Sequence, residues 1–417
     1  MKVLMFDSWD VGLKYFDEFL EDIYFKDFEK TFLHMNSKIK DSLDVLVQQK
    51  LSTSKLDYIN DVKSVDVEVY GSSVISALRE EKPDFVIMLS ITHFPNRLMV
   101  RACQKLNIPI FYMQHGVLFD HAQSGAVISQ LKDSFKGKYL IKLKKLRKFT
   151  WFYKAYLTIS RSPLESFKLA FQHLTKPFDF VWDPLPHRTL NVDAAFAFSN
   201  READALVNVF KLNRGSVVVS GNPIIQSKLK KVQKSDIDQV STFGDYALFL
   251  DQALTETNIV SKQDQLETLK ELAHLLSQQD KRLVIKVHPR GNVATWSELE
   301  FENVSIVKGS SDLYSLIKYC KFAVGYNSTA LIEALALDKN ILTLSWFDDV
   351  RGEKIFSQAS PFILDDKNEL ANQIKKLSVD NNFLCQELKD EYILPDGIDP
   401  MDRIRSIIQS KIRLEGQ

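Results

Sequence analysis

Ten short apolar runs, each followed by a segment of helical pattern, constrain the fold of this 417-residue chain more than any other feature. Near-continuous apolar strands that alternate with helices are typical of parallel sheets covered on both faces. The first five runs are Val3–Phe6, Phe85–Leu89, Ile108–Met113, Ala194–Phe198 and Val217–Val219. The second five are Ala247–Leu250, Leu283–Val287, Val304–Val307, Phe322–Val324 and Ile341–Leu344. Ten such strands predict the α/β class with two doubly wound domains rather than one large sheet.

A polar connector marks the boundary between the two predicted domains. After Gly221–Asn222–Pro223 the chain is charged and polar until the next apolar run begins at Tyr246. We therefore expect four segments: an N-terminal Rossmann-like domain over 1–225, a linker over 226–244, a C-terminal Rossmann-like domain over 245–395, and a final helix over 396–417 that packs back on the first domain. Because open parallel sheets bind ligands beyond the carboxyl ends of their strands, two such domains that face each other are expected to bind across a cleft.

Composition excludes several classes of protein. Fifty-four basic residues balance 54 acidic ones, which argues against a surface built to coat nucleic acid. Cys103, Cys320 and Cys385 are too few and too scattered for a disulfide scaffold or a zinc cluster. The chain has no run of 18 apolar residues, and its first residues lack the features of a secretory signal. We expect a cytoplasmic protein that uses neither a metal nor a bound cofactor.

Residues 132–154, the basic aromatic segment, depart from this charge balance. They contain nine Lys or Arg, one acid and six aromatic residues. One interpretation is a solvated basic helix with a buried aromatic face. The other is a surface for the acceptor or for anionic lipid on the inner face of the cytoplasmic membrane. Four lysines are the candidate contacts of this surface: Lys142, Lys144, Lys145 and Lys148.

A histidine, a proline and an arginine follow one strand of the second domain, in RLVIKVHPRG over residues 282–291. Proline cannot continue a central strand, so the chain must turn after Val287. This turn places His288 and Arg290 at the carboxyl end of the strand, where imidazole and guanidinium groups can hold a phosphate or a carboxylate.

A second polar turn follows the strand Phe322–Val324 and precedes a helix from about Ala330. Asn327, Ser328 and Thr329 supply amide and hydroxyl groups there, beside the N–H groups of a helix start. Glu333, one turn into the helix, is placed to accept hydroxyl groups of a ribose. The alternative is that these residues only cap the helix. Since both turns follow strands of one domain, we expect them to form one anion-binding crevice.

Candidate general bases also follow strands. His115 lies in the Gln114–His115–Gly116 turn of the first domain, where an imidazole is suited to accept the proton of a hydroxyl. Asp251 ends the first strand of the second domain, and Glu256 follows in the same loop. Asp7, at the end of the first strand of the chain, is a weaker rival. Each of these residues has a plain structural alternative, such as capping a loop.

Three common catalytic motifs are absent from the sequence. It contains no GxxxxGK[ST] loop, no GxGxxG after a strand and no GxSxG turn. These absences disfavour a P-loop ATPase, a nicotinamide-dependent enzyme and a serine hydrolase.

The two turns of the second domain resemble the histidine–proline and serine/threonine motifs of bacterial sialyltransferases, of Kdo-transferase-like enzymes and of related capsule glycosyltransferases. Gln114–His115–Gly116 and Gly221–Asn222–Pro223 resemble segments of surface-carbohydrate transferases with the GT-B fold. The second of these also resembles a segment of nucleotide-sugar 2-epimerases. In the sialyltransferases an acidic pair precedes a glycine, whereas Asp251–Gln252–Ala253 offers one acid and no glycine.

The resemblance implies a GT-B glycosyltransferase of bacterial surface or capsular polysaccharide. The implied donor is a CMP-linked acidic sugar, sialic-acid-like or Kdo-like, and the implied acceptor is an oligosaccharide or a lipid-linked glycan. Its motifs imply that His288, Arg290, Asn327, Ser328, Thr329 and Glu333 bind the donor. Three alternatives remain open, namely a CDP-glycerol or CDP-ribitol phosphotransferase, a UDP-sugar transferase or epimerase, and a non-catalytic scaffold subunit of a membrane assembly.

Overall fold

The computed structural model describes residues 1–39, 54–114, 191–225, 240–308, 313–346, 362–394 and 399–415, together with Leu164 and Phe167. Positions not described within these ranges are 9, 23, 92–93, 209, 211, 257–259, 289–290, 292–295, 297, 300, 327 and 380–383. The chain forms two compact units. Of the described ranges, the first unit holds 1–114, 191–223 and 399–415, and the second holds 224–394. The predicted residues His115, Arg290 and Asn327 and the basic aromatic segment lie outside the description.

An eight-stranded sheet forms the centre of the first unit. Its strands are β1 (Lys2–Phe6), β2 (Glu29–His34), β3 (Leu56–Ile59), β4 (Val62–Asp66), β5 (Phe85–Met88), β6 (Ile110–Met113), β7 (Ala194–Ala197) and β8 (Val217–Val219). The strand order is β3-β4-β2-β1-β5-β6-β7-β8. The β3–β4 pair is antiparallel and the other pairs are parallel. The order reverses between β1 and β5, so ligands are expected at the carboxyl ends of these strands.

Helices cover both faces of this sheet. They are α1 (Asp17–Glu21), α2 (Asn36–Ile39), α3 (Val74–Glu81), α4 (Phe94–Leu106) and α5 (Asn200–Asn208), with short 3-10 helices at Asp10–Phe16, Val67–Tyr70 and Arg214–Ser216. Alternating side chains of β1 enter two cores, because successive strand residues point to opposite faces. Leu4 and Phe6 pack with residues of α3 and α4. Val3 and Met5 pack with a group of phenylalanines that includes Phe16.

The second unit is a six-stranded, all-parallel doubly wound sheet. Its strands are β9 (Tyr246–Leu250), β10 (Arg282–Lys286), β11 (Val304–Val307), β12 (Phe322–Gly325), β13 (Asn340–Leu344) and β14 (Ile363–Leu364). Its helices are α6 (Lys262–Ser277), α7 (Leu313–Tyr319), α8 (Ala330–Ala336), α9 (Leu370–Val379) and α10 (Gln386–Tyr392), with a 3-10 helix at Lys367–Glu369. The order β11-β10-β9-β12-β13-β14 is the 3-2-1-4-5-6 order of dinucleotide-binding sheets, with its reversal between β9 and β12.

The last helix, α11 (Pro400–Glu415), belongs to the first unit although the whole second unit precedes it in the chain. Ile404 and Ile408 are fully buried in the same core as Val3 and Met5. Arg405 Nη2 lies 2.6 Å from the Asp22 carboxylate, which fixes the helix beside the end of α1. The first unit therefore contains both ends of the chain.

The predicted fold class is confirmed, because each of the ten apolar runs is a strand of a mainly parallel sheet. Four strands were not predicted from the sequence: β2, β3, β4 and β14. β2 and β4 carry charged residues among the apolar ones, and β3 is exposed along its whole length. β14 has only two residues. β3 and β14 are edge strands of their sheets, and edge strands bury less apolar surface, so their sequences carry a weaker signal.

A buried carboxylate ties three strands of the first unit to α3. Glu81, at the end of α3, is 3% exposed and accepts hydrogen bonds from Thr31 (3.0 Å), Lys63 (2.6 Å) and Tyr70. Lys2 Nζ lies 2.9 Å from Glu81 Oε2. Burial raises the pKa of the Glu81 carboxyl, but the hydrogen bonds from Lys2, Lys63 and Tyr70 outweigh burial and lower the pKa from 4.5 to about 2.

We expect Glu81→Gln to lower the free energy of unfolding by about 3 kcal/mol at neutral pH, because it removes the buried negative charge that pairs with the partly buried Lys2 and Lys63. A lowered pKa in the folded state means that the carboxylate stabilises the fold above its ordinary pKa of 4.5 and loses this effect as the pH falls towards 2. The free energy of unfolding, measured with denaturant, should therefore fall more steeply for the wild type than for the variant as the pH is lowered from neutral to 2. The exposed neighbour Glu80→Gln is the control, and equal slopes for wild type and Glu81→Gln would contradict the expectation.

Candidate functional site

The register of the second sheet aligns the ends of its three central strands. Leu250 of β9 pairs with Lys286 of β10 on one side and with Gly325 of β12 on the other. Asp251 and Tyr326 therefore follow their strands directly, and His288 follows β10 after one more residue. Asp251 and Tyr326 follow the two strands between which the strand order reverses, and His288 follows the strand beside them. Doubly wound sheets bind their ligands at such a reversal.

Asp251 connects the end of β9 to the turn after β10. Its Oδ2 accepts a hydrogen bond from the His288 backbone N–H at 3.1 Å, and its Oδ1 accepts one from the Ala253 N–H at 3.0 Å. The residue is 6% exposed. Burial raises the pKa of the carboxyl, and the two backbone hydrogen bonds offset only part of this effect. Ala253 has a positive φ of 55°, so the chain turns sharply around the carboxylate.

Gly291 closes the turn after β10 against the same carboxylate. Its N–H donates to the His288 carbonyl at 2.7 Å. A Cβ atom at this position would lie 2.8 Å from Asp251 Oδ2 and 2.9 Å from Val287 Cγ1, which is closer than real Cβ contacts. The turn therefore needs glycine at 291 in order to approach Asp251.

Tyr326 lies at the end of β12 on the other side of β9. It is 4% exposed, and its ring centroid is 5.7 Å from that of Phe249. Burial raises the pKa of its hydroxyl, and the charges of Asp251 and Asp264 raise it further. The Tyr326 hydroxyl therefore stays protonated at neutral pH, near the Asp251 carboxylate and the start of α6.

The hydroxyl groups after β12 have different roles. Ser328 is buried, and its Oγ accepts a hydrogen bond from the Ala330 N–H at 3.3 Å. Thr329 is exposed and makes no side-chain capping bond with α8. Glu333 lies half-buried within α8. Ser328 therefore provides the side-chain cap of α8, and Thr329 provides none.

The other predicted acid of this unit, Glu256, is exposed in the loop after β9. Its Oε2 accepts a hydrogen bond from Thr255 Oγ1 at 2.8 Å. Its charge raises the pKa of Asp251, which lies five residues before it in the chain. The structure thus brings Asp251, Glu256 and His288 together, with Ser328, Thr329 and Glu333 after the neighbouring strand.

The first unit places polar residues at its own strand-order reversal. Asp7 and Ser8 follow β1, and Ser8 Oγ lies 3.4 Å from Oδ1 of the fully buried Asn96 on α4. A side chain at Gly12 would collide with the Asp7 side chain, so the 3-10 helix packs its backbone against that residue. Among the residues that the structure describes, no group of three or more His, Cys, Asp or Glu side chains is placed to hold a metal ion.

The sequence pattern predicts no role for four residues of these sites: Gly291, Tyr326, Ser8 and Asn96. The first two stand inside the motifs that were predicted, and a glycine three residues after His288 is itself a signal for a tight turn. Ser8 and Asn96 carry no such signal, because 88 residues separate them in the chain and only the fold brings them together.

Comparison with models of protein families shows which family the chain belongs to. The model of the alpha-2,8-polysialyltransferases matches residues 37–343, and this range includes both turns of the second unit. The chain belongs to the alpha-2,8-polysialyltransferase family. Comparison with curated protein sequences gives no match.

Solved structures show the same fold at low sequence identity. UDP-GlcNAc 2-epimerase of Methanocaldococcus jannaschii, in complex with UDP-GlcNAc and UDP, is 13% identical over 98% of this chain and 100% of its own, with a TM-score of 0.52. S. aureus MnaA with UDP is 14% identical over 99% and 97%, with a TM-score of 0.55. The H548A variant of the wall teichoic acid polymerase TagF is 12% identical over 100% and 90%, with a TM-score of 0.54.

These likenesses cover nearly the whole chain and show that it has the GT-B fold. The family and the fold together indicate that the protein is a glycosyltransferase of polysaccharide biosynthesis. Such an enzyme uses a nucleotide-sugar donor and a glycan acceptor. In the described part of the chain, no helix is both long enough and apolar enough to span a bilayer.

The different contacts of Ser328 and Thr329 predict different stabilities. We expect Ser328→Ala to lower the free energy of unfolding by about 1 kcal/mol, because it removes the acceptor for the Ala330 N–H. Thr329→Ala should leave the free energy unchanged within a few tenths of a kcal/mol. Chemical denaturation of both variants measures this difference, and equal losses would show that the capping assignment is wrong.

Proposed function

We propose that the protein transfers a sialic-acid-like residue from a CMP-activated donor to a hydroxyl group at the end of a polysaccharide chain, without a metal ion. The observation that carries this proposal is the position of His288, which Asp251 holds at the carboxyl end of β10, beside the strand-order reversal. The polar turn after β12 lies on the other side of β9 from His288. A nucleotide phosphate bound between them would meet donors from both sides.

The chemistry of the transfer requires such donors. As the bond from the anomeric carbon to the phosphate oxygen breaks, its electron pair goes to the phosphate, which leaves as part of CMP. Preorganised hydrogen-bond donors stabilise the charge that develops there. We assign this role to the His288 imidazole and to the Ser328 and Thr329 hydroxyl groups, and predict that Arg290 and Asn327 contribute. Glu333 is assigned to the ribose hydroxyls.

The acceptor hydroxyl must lose its proton to a base as it attacks the anomeric carbon. His115 remains the predicted base, and its place lies outside the described residues. Asp7 is the rival within the described part of the first unit, because it follows β1 at the strand-order reversal of that sheet. Glu256 is exposed and stands as a third candidate in the second unit.

We expect His288→Ala to weaken CMP binding about 10- to 150-fold, which corresponds to losing one hydrogen bond to a charged group. His274→Ala, which changes an exposed histidine of α6, is the matched control and should bind like the wild type. Calorimetry with CMP, CDP and UDP measures both the effect and the preference for the nucleotide.

If CMP binds more tightly than CDP and UDP, the result supports a CMP-sugar donor. If CDP or UDP binds most tightly, the donor is a CDP-linked or UDP-linked compound instead. Unchanged CMP affinity in a folded His288→Ala variant would remove His288 from the phosphate site.

We further propose that the basic aromatic segment docks on anionic lipid and brings the enzyme to a membrane-borne acceptor. Its nine cations in 23 residues support this, because each Lys or Arg near such a surface contributes about 1 kcal/mol. The attraction acts within a Debye length, so it is sensitive to salt.

Wild-type protein should sediment with vesicles that contain anionic lipid at low salt, and remain in solution at high salt or with neutral vesicles. Changing Lys142, Lys144, Lys145 and Lys148 together to Glu should abolish binding. The control changes four exposed lysines elsewhere, Lys26, Lys270, Lys308 and Lys375, and alters the net charge equally. If the control loses binding to the same extent, the segment is not the docking surface.

A further inference from the structure

The Asp251 carboxylate has contacts that differ from those of a catalytic base. Both of its oxygens accept backbone N–H groups, Oδ2 from His288 and Oδ1 from Ala253, and the residue is 6% exposed. A general base must reach the proton that it removes. Asp251 instead directs its oxygens into the two turns beside it.

We propose that Asp251 is a positioning residue, which fixes His288 for donor binding through the His288 backbone N–H. This inference rests on the proposed role of His288 at the donor phosphate. It replaces the sequence-based assignment of Asp251 as a catalytic base.

The position of the hydrogen bond explains why one carboxylate has this effect. The ladder to β11 ends with the Val287 N–H, which donates to the Val307 carbonyl at 2.9 Å. Residue 289 is proline and has no N–H. The His288 N–H is therefore the last backbone donor at which the sheet can hold this strand before the chain turns. Asp251, directly after the neighbouring strand β9, supplies the acceptor.

Gly291 supports the same role from the other side of the turn. The space that a Cβ atom at 291 would need is filled by Asp251 Oδ2, 2.8 Å away, and by Val287 Cγ1, 2.9 Å away. The chain therefore closes tightly on the carboxylate, with the Gly291 N–H bonded to the His288 carbonyl. Both backbone polar groups of His288 are thus fixed, and the imidazole leaves the turn in a defined direction.

A double-mutant cycle on CMP binding tests the inference. We expect Asp251→Ala to weaken CMP binding at least 10-fold, and the double variant Asp251→Ala/His288→Ala to bind no more than about twofold weaker than His288→Ala alone. Such non-additivity is the mark of two residues that act as one unit. Asp251→Asn retains one amide oxygen and should lose less affinity than Asp251→Ala.

Asp366→Asn is the matched control. Asp366 Oδ1 accepts a hydrogen bond from the N–H of Asn368, two residues later, at 2.9 Å, as Asp251 Oδ1 does from the Ala253 N–H. It lies at the start of a 3-10 helix and should leave CMP affinity unchanged. Effects of Asp251→Ala and His288→Ala that multiply in the double variant would overturn the inference. The inference would also be overturned if Asp251→Asn lowered turnover and left CMP affinity at the wild-type value, because a catalytic base behaves in that way.

Hydrogen exchange of the protein without nucleotide keeps this test separate from the proposed function. In wild type the His288 N–H should be protected in a peptide that spans 284–291. Asp251→Ala should remove this protection, and Gly291→Ala should reduce it because the added methyl group displaces the turn. Asp366→Asn should retain it. If the wild type binds no CMP, the proposed donor is wrong. The exchange experiment would still test whether Asp251 holds the His288 N–H. Unchanged protection in both folded variants would overturn the positioning role.

Discussion

The reversal of strand order at β9 determines where the second unit can hold a ligand. β9 pairs with β10 on one side and with β12 on the other. Because crossovers between parallel strands are right-handed, the helices that lead away in the two directions lie on opposite faces of the sheet. The carboxyl ends of the central strands are therefore left open between them. His288, Asp251 and the Tyr326–Thr329 turn all follow these ends, so the position of each depends on this one feature of topology.

Burial makes the Asp251 carboxylate a strong constraint within that opening. A carboxylate that has lost water needs hydrogen-bond donors, and here the donors are backbone N–H groups of two turns. The cost of leaving it without partners keeps both turns in place. The buried Glu81 carboxylate also holds its partners in place in the first unit. It joins α3 to side chains of β1, β2 and β4. In each unit, a charged group inside the protein orders the elements around it.

The sequence predicts the central part of both sheets because buried parallel strands need continuous apolar runs. It also predicts which residues follow these strands, and the structure places His288 and Ser328 after β10 and β12 as expected. It does not predict which backbone group a side chain meets. The partner of Asp251 lies 37 residues further along the chain, and its identity depends on the register between β9 and β10. The distinction between Ser328 and Thr329 likewise depends on a single turn of backbone. β2 and β4 escape prediction because charged residues interrupt their apolar pattern.

The place of α11 in the first unit has a consequence for the order in which the chain acquires structure on the ribosome. The strands of the second unit are contiguous, from Tyr246 to Leu364, and are complete before α11 is made. Val3 and Met5 belong to a core that also needs Ile404 and Ile408, more than 395 residues later. That face of the first sheet stays without α11 until residues 400–415 have been made. The unit that is begun first is therefore finished last, and its apolar surface is the part of the nascent chain most in need of protection.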